Sequence, residues 1–150
     1  MLRVYGLAAV LMVLAVVPTA RANDDIVIDR VYAFATASSQ KNGAAFMDVV
    51  NNGGNIVDIV AARSDVAGRV ELHNHVMNDG VMQMRQVEAI SVPAGANVVL
   101  KPHGYHVMLF DLVKPLQIGQ SFPVTLTLKN GEMLEAIDVD VQVIAPGSSL

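Results

Sequence analysis

The sequence predicts an all-β fold, an antiparallel β-sandwich or barrel, and three observations support that prediction. Runs rich in β-branched and aromatic residues recur about every ten residues, the spacing typical of such folds. Glycine, proline and asparagine separate these runs and indicate turns. The one helix-like window, Asp111–Ile118, contains Pro115, which limits it to a turn or a loop.

Each predicted strand is an apolar or alternating run bounded by turn residues. The second run, for example, ends at Asn51-Asn52-Gly53-Gly54, and Pro93-Ala94-Gly95 separates the sixth from the seventh. The ten predicted strands are Ile26–Phe34, Ala44–Val50, Ile56–Ala62, Arg69–Val76, Val81–Val87, Ala89–Val92, Asn97–Lys101, Tyr105–Phe110, Phe122–Leu128 and Met133–Val143.

Composition excludes several classes of function. The chain has 150 residues, a formal net charge of −4, eight methionines, four histidines and no cysteine. The acidic balance argues against nucleic acid as the main partner, because binding it needs a basic face that neutralises phosphates. Without cysteine there is no disulfide, zinc finger, thiol nucleophile, iron–sulfur site or lipid-modified cysteine in these residues.

Residues 1–22 are predicted to be a signal peptide. Arg3 supplies a positive charge, Val4–Val17 is an apolar run too short for a bilayer-spanning helix, and Pro18 precedes Ala20-Arg21-Ala22, which resembles a cleavage site. The alternative is an uncleaved N-terminal anchor. Cleavage would leave residues 23–150 as one domain, and export without cysteine points to a soluble monomer in a bacterial periplasm.

One predicted hairpin determines how the polar residues are grouped. Asp79-Gly80 between two strand-like runs indicates a two-residue turn, which would pair His75 with Met84 and His73 with Gln86. Alternate residues share a face of a strand. One face would collect Glu71, His73, His75, Met77, Met82 and Met84, and the other, predicted to face the core, would hold Leu72, Val76, Val81 and Val87.

Histidine and methionine are concentrated in this part of the chain. All four histidines lie between residues 73 and 106, and His106 and Met108 are two apart, so they would point the same way in a strand. Thioether sulfur favours Cu(I) over Mg, Ca or Zn, and it forms no disulfide in an oxidising compartment. The pattern therefore indicates a site for a soft metal ion.

The spacing His73-x10-Met84-x21-His106-x-Met108 resembles that of the periplasmic copper chaperones called PCuAC. The segments around these residues are similar to that family as well: Val70-Glu71-Leu72-His73, Asp79–Arg85 and His106–Leu109. The resemblance implies a cupredoxin-like or immunoglobulin-like β-sandwich that holds Cu(I) with His73, Met84, His106 and Met108. It further implies delivery to the dinuclear copper site of cytochrome c oxidase, sometimes alongside Sco-type thiol proteins.

Several nearby residues can be interpreted in two ways. The predicted register places His75, not His73, opposite Met84, whereas the family pattern favours His73 as the ligand, so His75 is an accessory candidate. His103 stands where many relatives have glycine; it is expected in an exposed turn and is a second accessory candidate, for Cu(II). Glu71 is either a solvated strand residue or an acceptor that orients an imidazole. Met77 and Met82 are expected beside the site, and Met47 and Met133 in the core.

The sequence gives no support to an enzyme. It contains no signal for a Ser–His–Asp arrangement, paired carboxylates or His-Glu-x-x-His, and a blue-copper site would need a cysteine. We therefore expect a Cu(I)-binding chaperone that transfers copper by ligand exchange to an acceptor, the oxidase copper subunit or a Sco-type protein. The alternatives are a copper-buffering protein without a dedicated acceptor and an exported structural or adhesion β-sandwich.

Overall fold

The computed structural model describes residues 25–150, and these residues form ten strands and no helix. The all-β prediction is therefore confirmed. No helix in these residues is long and apolar enough to span a membrane. The predicted signal peptide, residues 1–22, lies outside the described residues. The strands are β1 Ile26–Phe34, β2 Gly43–Asn51, β3 Val57–Arg63, β4 Ala67–Asn78, β5 Val81–Gln86, β6 Ile90–Val92, β7 Asn97–Leu100, β8 His106–Leu112, β9 Ser121–Asn130 and β10 Met133–Ile144.

The strands follow the order β5-β4-β8-β2-β1-β10-β9-β3-β6, with β7 paired to β2. Their described pairings are antiparallel except that of β1 with β10, which is parallel. The predicted antiparallel sandwich therefore also contains one parallel pair, which the sequence did not indicate. Turn residues predict the pairing only of strands that follow one another in the chain, whereas β1 and β10 come from opposite ends of the domain.

The core lies between the two halves of this strand order. One continuous cluster of buried residues includes Leu72 and Val107 from β4 and β8, and Leu126 and Val141 from β9 and β10. Alternate residues enter this cluster most clearly in β9, where the pattern of buried and less buried positions has a period of two. Two facing halves that share one core make a β-sandwich.

The hairpin between β4 and β5 has the predicted register. Asn78 pairs with Val81, and Met77 with Met82, across the two-residue turn Asp79-Gly80. Both turn residues have positive φ, 48° and 78°, as a type I′ turn requires. The face on which each side chain of β4 and β5 lies is therefore fixed by this turn.

The outer part of this hairpin extends beyond the rest of the sheet. β8 begins at His106, which pairs with His73, so the residues of β4 after His73 pair only with β5. Val76 and Val81, predicted to face the core, are exposed. That prediction is wrong because no strand lies beneath this part of the hairpin, whereas Leu72, four residues before Val76 on the same face, is buried.

Two methionines were predicted as core residues, and only one of them is. Met47 on β2 is fully buried in the core cluster. Met133 is half-exposed, and this prediction is wrong. Met133 is the first residue of β10 and comes directly after the turn that follows β9. At this end the strand lies outside the covered part of the sheet.

Candidate metal centre

His73 and His106 lie on the outer face of the sheet. Their neighbours Leu72 and Val107 are register partners that enter the core, and adjacent residues of a strand point to opposite faces. The two histidines, also register partners, therefore share the outer face. They are nevertheless only 7% and 2% exposed.

Methionines border this pair on the same face. Met108 lies two residues after His106 on β8, so its side chain shares the face of His106. Met84 on β5 is the register partner of His75, which lies two residues after His73 on β4. The structure thus brings the four residues of the sequence pattern to one face of three adjacent strands, β5, β4 and β8.

The four histidines form a continuous row. The ring centres of His103 and His75 are 5.7 Å apart, those of His75 and His106 5.3 Å, and those of His106 and His73 5.9 Å. With metal–nitrogen bonds of about 2.0 Å, two imidazoles on one ion have ring centres roughly 5–6 Å apart. Residues 25–150 contain no group of three or more His, Asp or Glu placed to hold a metal. An ion bound by two of these imidazoles would need donors of another kind.

The hydrogen bonding of His106 leaves one ring nitrogen free. Its Nδ1–H donates to the carbonyl oxygen of Gly104 at 2.9 Å, so Nε2 keeps its lone pair. Burial lowers the pKa of His106, an effect that the bond to Gly104 opposes and the nearby His75 and His73 reinforce. His106 is therefore neutral near pH 7, which is the form that binds metal ions.

Glu71 fixes the orientation of His73. The Nε2 of His73 donates to Oε2 of Glu71 at 2.7 Å, and Arg69 donates to the other carboxylate oxygen. The hydrogen bond from His73 lowers the pKa of Glu71 against the opposing effect of desolvation, with help from Arg69. The Nδ1 of His73 is buried and has no hydrogen-bond partner. Of the two interpretations of Glu71, the structure favours the orienting acceptor.

The accessory candidates His75 and His103 are also adjacent. The Nδ1 of His75 is buried without a partner, like that of His73. His103 lies in a turn with φ of 64° and is exposed, as predicted from the sequence. The row of imidazoles therefore runs from an exposed ring to two buried ones, and His75 is as close to His106 as His73 is.

Sequence reasoning did not identify the aromatic residues that surround the pair. The ring of Phe46 on β2 lies 6.3 Å from that of His106, and the ring of Phe110 on β8 lies 5.6 Å from that of His73. The Arg69 guanidinium stacks over Phe110 at 4.1 Å. Phe110 could have been found, because it is four residues after His106 in a strand and so shares its face.

A sequence family and a related protein that match this chain are both described as putative lipoproteins. Residues 26–143 match the family described as “Putative lipoprotein LpqE-like”. A protein of Leifsonia xyli named “Putative lipoprotein Lxx21020” is 36% identical over 100 residues, 66% of this chain and 60% of that protein. “Uncharacterized protein RP573” of Rickettsia prowazekii is 29% identical over 85 residues, 56% of this chain and 47% of that protein. The matched stretch thus spans 60% or less of each relative.

Solved structures with the same fold include two copper-bound proteins. The copper-bound PCuAC domain from PmoF2 superposes with a TM-score of 0.67 and 24% identity, covering 81% of this chain and 94% of that domain. The solution structure of CuI-DR1885 from Deinococcus radiodurans gives a TM-score of 0.64 at 26% identity, covering 86% and 84%. The predicted resemblance to PCuAC domains, and with it the cupredoxin-like or immunoglobulin-like β-sandwich, is confirmed.

Proposed function

This chain belongs to the LpqE-like family, and we propose that it is a copper chaperone whose cargo is one Cu(I) ion. The observation that carries the proposal is the pair His73 and His106. Each is oriented by a hydrogen bond at one ring nitrogen; the Nδ1 of His73 is buried without a hydrogen-bond partner, and the Nε2 of the neutral His106 ring keeps its lone pair. The structural likeness to CuI-DR1885 supports the same cargo.

The donor set suits Cu(I) better than harder ions. We propose that His73, His106, Met84 and Met108 are the ligands, two neutral imidazoles and two thioethers. Thioether sulfur is a soft donor that binds Cu(I) and has little affinity for Mg or Ca. The neutral state of His106 also removes the competition with protons near pH 7.

Transfer would proceed by ligand exchange, without bond-making catalysis. His73 and His106 are buried, whereas Met84 on the edge strand β5 is exposed, so an acceptor can approach the ion from the side of Met84. A thioether is neutral and dissociates without protonation. The difference in affinity between the donor and acceptor sites then sets the direction of transfer.

We propose that residues 23–150 form the copper-binding domain and that residues 1–22 direct export to the periplasm. The lipoprotein names of the family and of the Leifsonia relative support an exported location. In that compartment we propose the copper subunit of cytochrome c oxidase or a Sco-type protein as the acceptor. A site without cysteine is compatible with an oxidising compartment, because thioethers do not form disulfides.

His75 and His103 are proposed as an accessory imidazole pair for Cu(II). Their ring centres are 5.7 Å apart, and imidazole suits Cu(II) as well as Cu(I). The exposed position of His103 makes the pair accessible to ions from solvent. Replacing His103 with Gly should remove the imidazole signature of Cu(II) in electron paramagnetic resonance and leave Cu(I) binding unchanged.

The main proposal is tested by titrating the metal-free protein with Cu(I) against a competing chelator. We expect one tight equivalent, and we expect Met84→Leu and Met108→Leu each to weaken it by at least tenfold while the fold is retained. Met133→Leu is the matched control, because Met133 is a half-exposed methionine on the distant strand β10. Equal affinity in all three variants would reject the proposed thioether ligands.

A further inference from the structure

The tip of the β4–β5 hairpin carries two methionines, Met77 and Met82, that neither the core nor the proposed copper site accounts for, and they lie beside Met84, which the proposed site does use. Met77 is 65% exposed, Met82 48% and Met84 39%. All three lie in the part of the hairpin that extends beyond β8. Exposed apolar side chains grouped in this way commonly mark a binding surface.

The register brings these side chains together on one face. Met77 is the partner of Met82, and Met84 lies one same-face position further along β5, opposite His75. Hydrogen-bonded and non-hydrogen-bonded pairs alternate in an antiparallel ladder, and a two-residue turn starts with a hydrogen-bonded pair. Met77–Met82 and His75–Met84 are then non-hydrogen-bonded pairs, whose side chains lie closest, with Cα atoms about 4.5 Å apart.

The surroundings of the methionines suit a soft cation. The one arginine in the part of the hairpin beyond His73, Arg85, pairs with Asn74 and so lies on the opposite face, where it donates to Gln83. Thus no lysine or arginine of β4 or β5 beyond His73 shares the methionine face. The unbranched methionine side chain has three rotatable bonds, which allow neighbouring sulfurs to converge on one ion.

We propose that Met77 and Met82, with Met84 as a shared third donor, form a second and weaker Cu(I) site at the hairpin tip. This inference rests on the proposed function, because it supplies a position from which an ion enters or leaves the main site. Met84 belongs to both sites. An ion held by the three thioethers can exchange Met77 and Met82 for the imidazoles of His73 and His106 while it stays bound to Met84.

The test uses the full protein with 13C-labelled methionine methyl groups, titrated with Ag(I) as a probe of the same charge and softness that does not change its oxidation state. We expect the first equivalent to shift the methyl signals of Met84 and Met108. Because Met84 then holds the first ion, a second equivalent should bind at Met77 and Met82 at least tenfold more weakly, shifting their methyl signals and leaving that of Met133 in place. The double variant Met77→Leu/Met82→Leu should bind only the first equivalent.

Leucine keeps the size and apolar character of methionine and removes the sulfur, so the double variant separates a metal site from an apolar docking surface. If the wild-type protein binds only one equivalent, or if the double variant retains the second, the tip is an apolar surface for protein contacts and the inference is wrong. If the first equivalent itself fails to bind, the proposed copper chaperone function is what fails.

Discussion

His73 and His106 are register partners on β4 and β8, and their ring centres are 5.9 Å apart although the residues are distant in sequence. His75 is similarly close to His106, at 5.3 Å, and it is the residue directly opposite Met84. Ring spacing alone therefore does not choose between His73 and His75. The hydrogen bonds favour His73, because of the two rings it is His73 that has an acidic partner, Glu71, to orient it.

The first prediction follows from this difference. His73→Ala should weaken the tight Cu(I) equivalent by more than the roughly 10–100-fold that loss of an outer contact costs. His75→Ala, the matched neighbour on the same face, should weaken it less than tenfold. Competition titrations with a Cu(I) chelator measure both. If the order of the two effects were reversed, His75 would replace His73 in the ligand set.

The second prediction concerns Glu71. Replacing it with Gln keeps the shape but removes the negative charge that holds Nε2–H of His73, so the ring is less well oriented. We expect Cu(I) affinity to fall about 10–100-fold, the usual effect of losing such a partner. The control is Glu132→Gln, an exposed acid in the turn between β9 and β10. Histidine side-chain NMR on the metal-free variant should show that His73 no longer holds a single tautomer, a change that a merely structural role would not produce.

Local sequence patterns predicted the hairpin but not its place in the sheet. Asp79-Gly80 fixed the pairing of β4 with β5, since a two-residue turn determines the register of both strands. The pairing of β4 with β8 joins residues far apart in the chain, and no turn specifies it. For this reason the convergence of His73 and His106 was expected only from resemblance to a family. The contact between Glu71 and His73, two residues apart on one face, was within reach of strand periodicity.

The exposure of Val76 has the same origin. Alternation correctly placed it on the face of Leu72, but burial also depends on where the neighbouring strand begins, and β8 begins at His106.

The third prediction uses the contrast between the buried Leu72 and the exposed Val76. Leu72→Ala should reduce the free energy of unfolding by about 2–5 kcal/mol, as for other buried leucines. Val76→Ala, on the same strand and face, should change it by less than about 1 kcal/mol. Urea denaturation of the two variants measures both, and similar losses would mean that the hairpin packs on the core along its whole length.

The fourth prediction separates delivery of copper from buffering. If the protein serves the oxidase, cells that lack it should lose cytochrome c oxidase activity when copper is scarce and regain it when copper is added. A variant with Met84 and Met108 both replaced by Leu should not restore activity, whereas Met133→Leu should. Oxidase activity that is unaffected by the deletion, together with lower tolerance of excess copper, would instead identify a buffering protein.

The fifth prediction links the hairpin turn to the copper site. Gly80 has φ of +78°, a left-handed conformation that costs any other L-residue about 1–2 kcal/mol. Gly80→Ala should therefore reduce the free energy of unfolding by about 1 kcal/mol even though no atom lies within 4 Å of the added methyl group. Gly54→Ala is the control, because that position is equally open and does not have positive φ.

Measuring the Cu(I) affinity of Gly80→Ala distinguishes a local effect of the turn from general destabilisation of the protein. Because the turn holds the register that places Met84 opposite His75, Gly80→Ala should also weaken Cu(I) binding. A variant that destabilises the core to the same extent should leave Cu(I) affinity unchanged under conditions where both proteins are fully folded. If Gly80→Ala lost stability but bound Cu(I) like the wild-type protein, the site would not depend on the position of Met84.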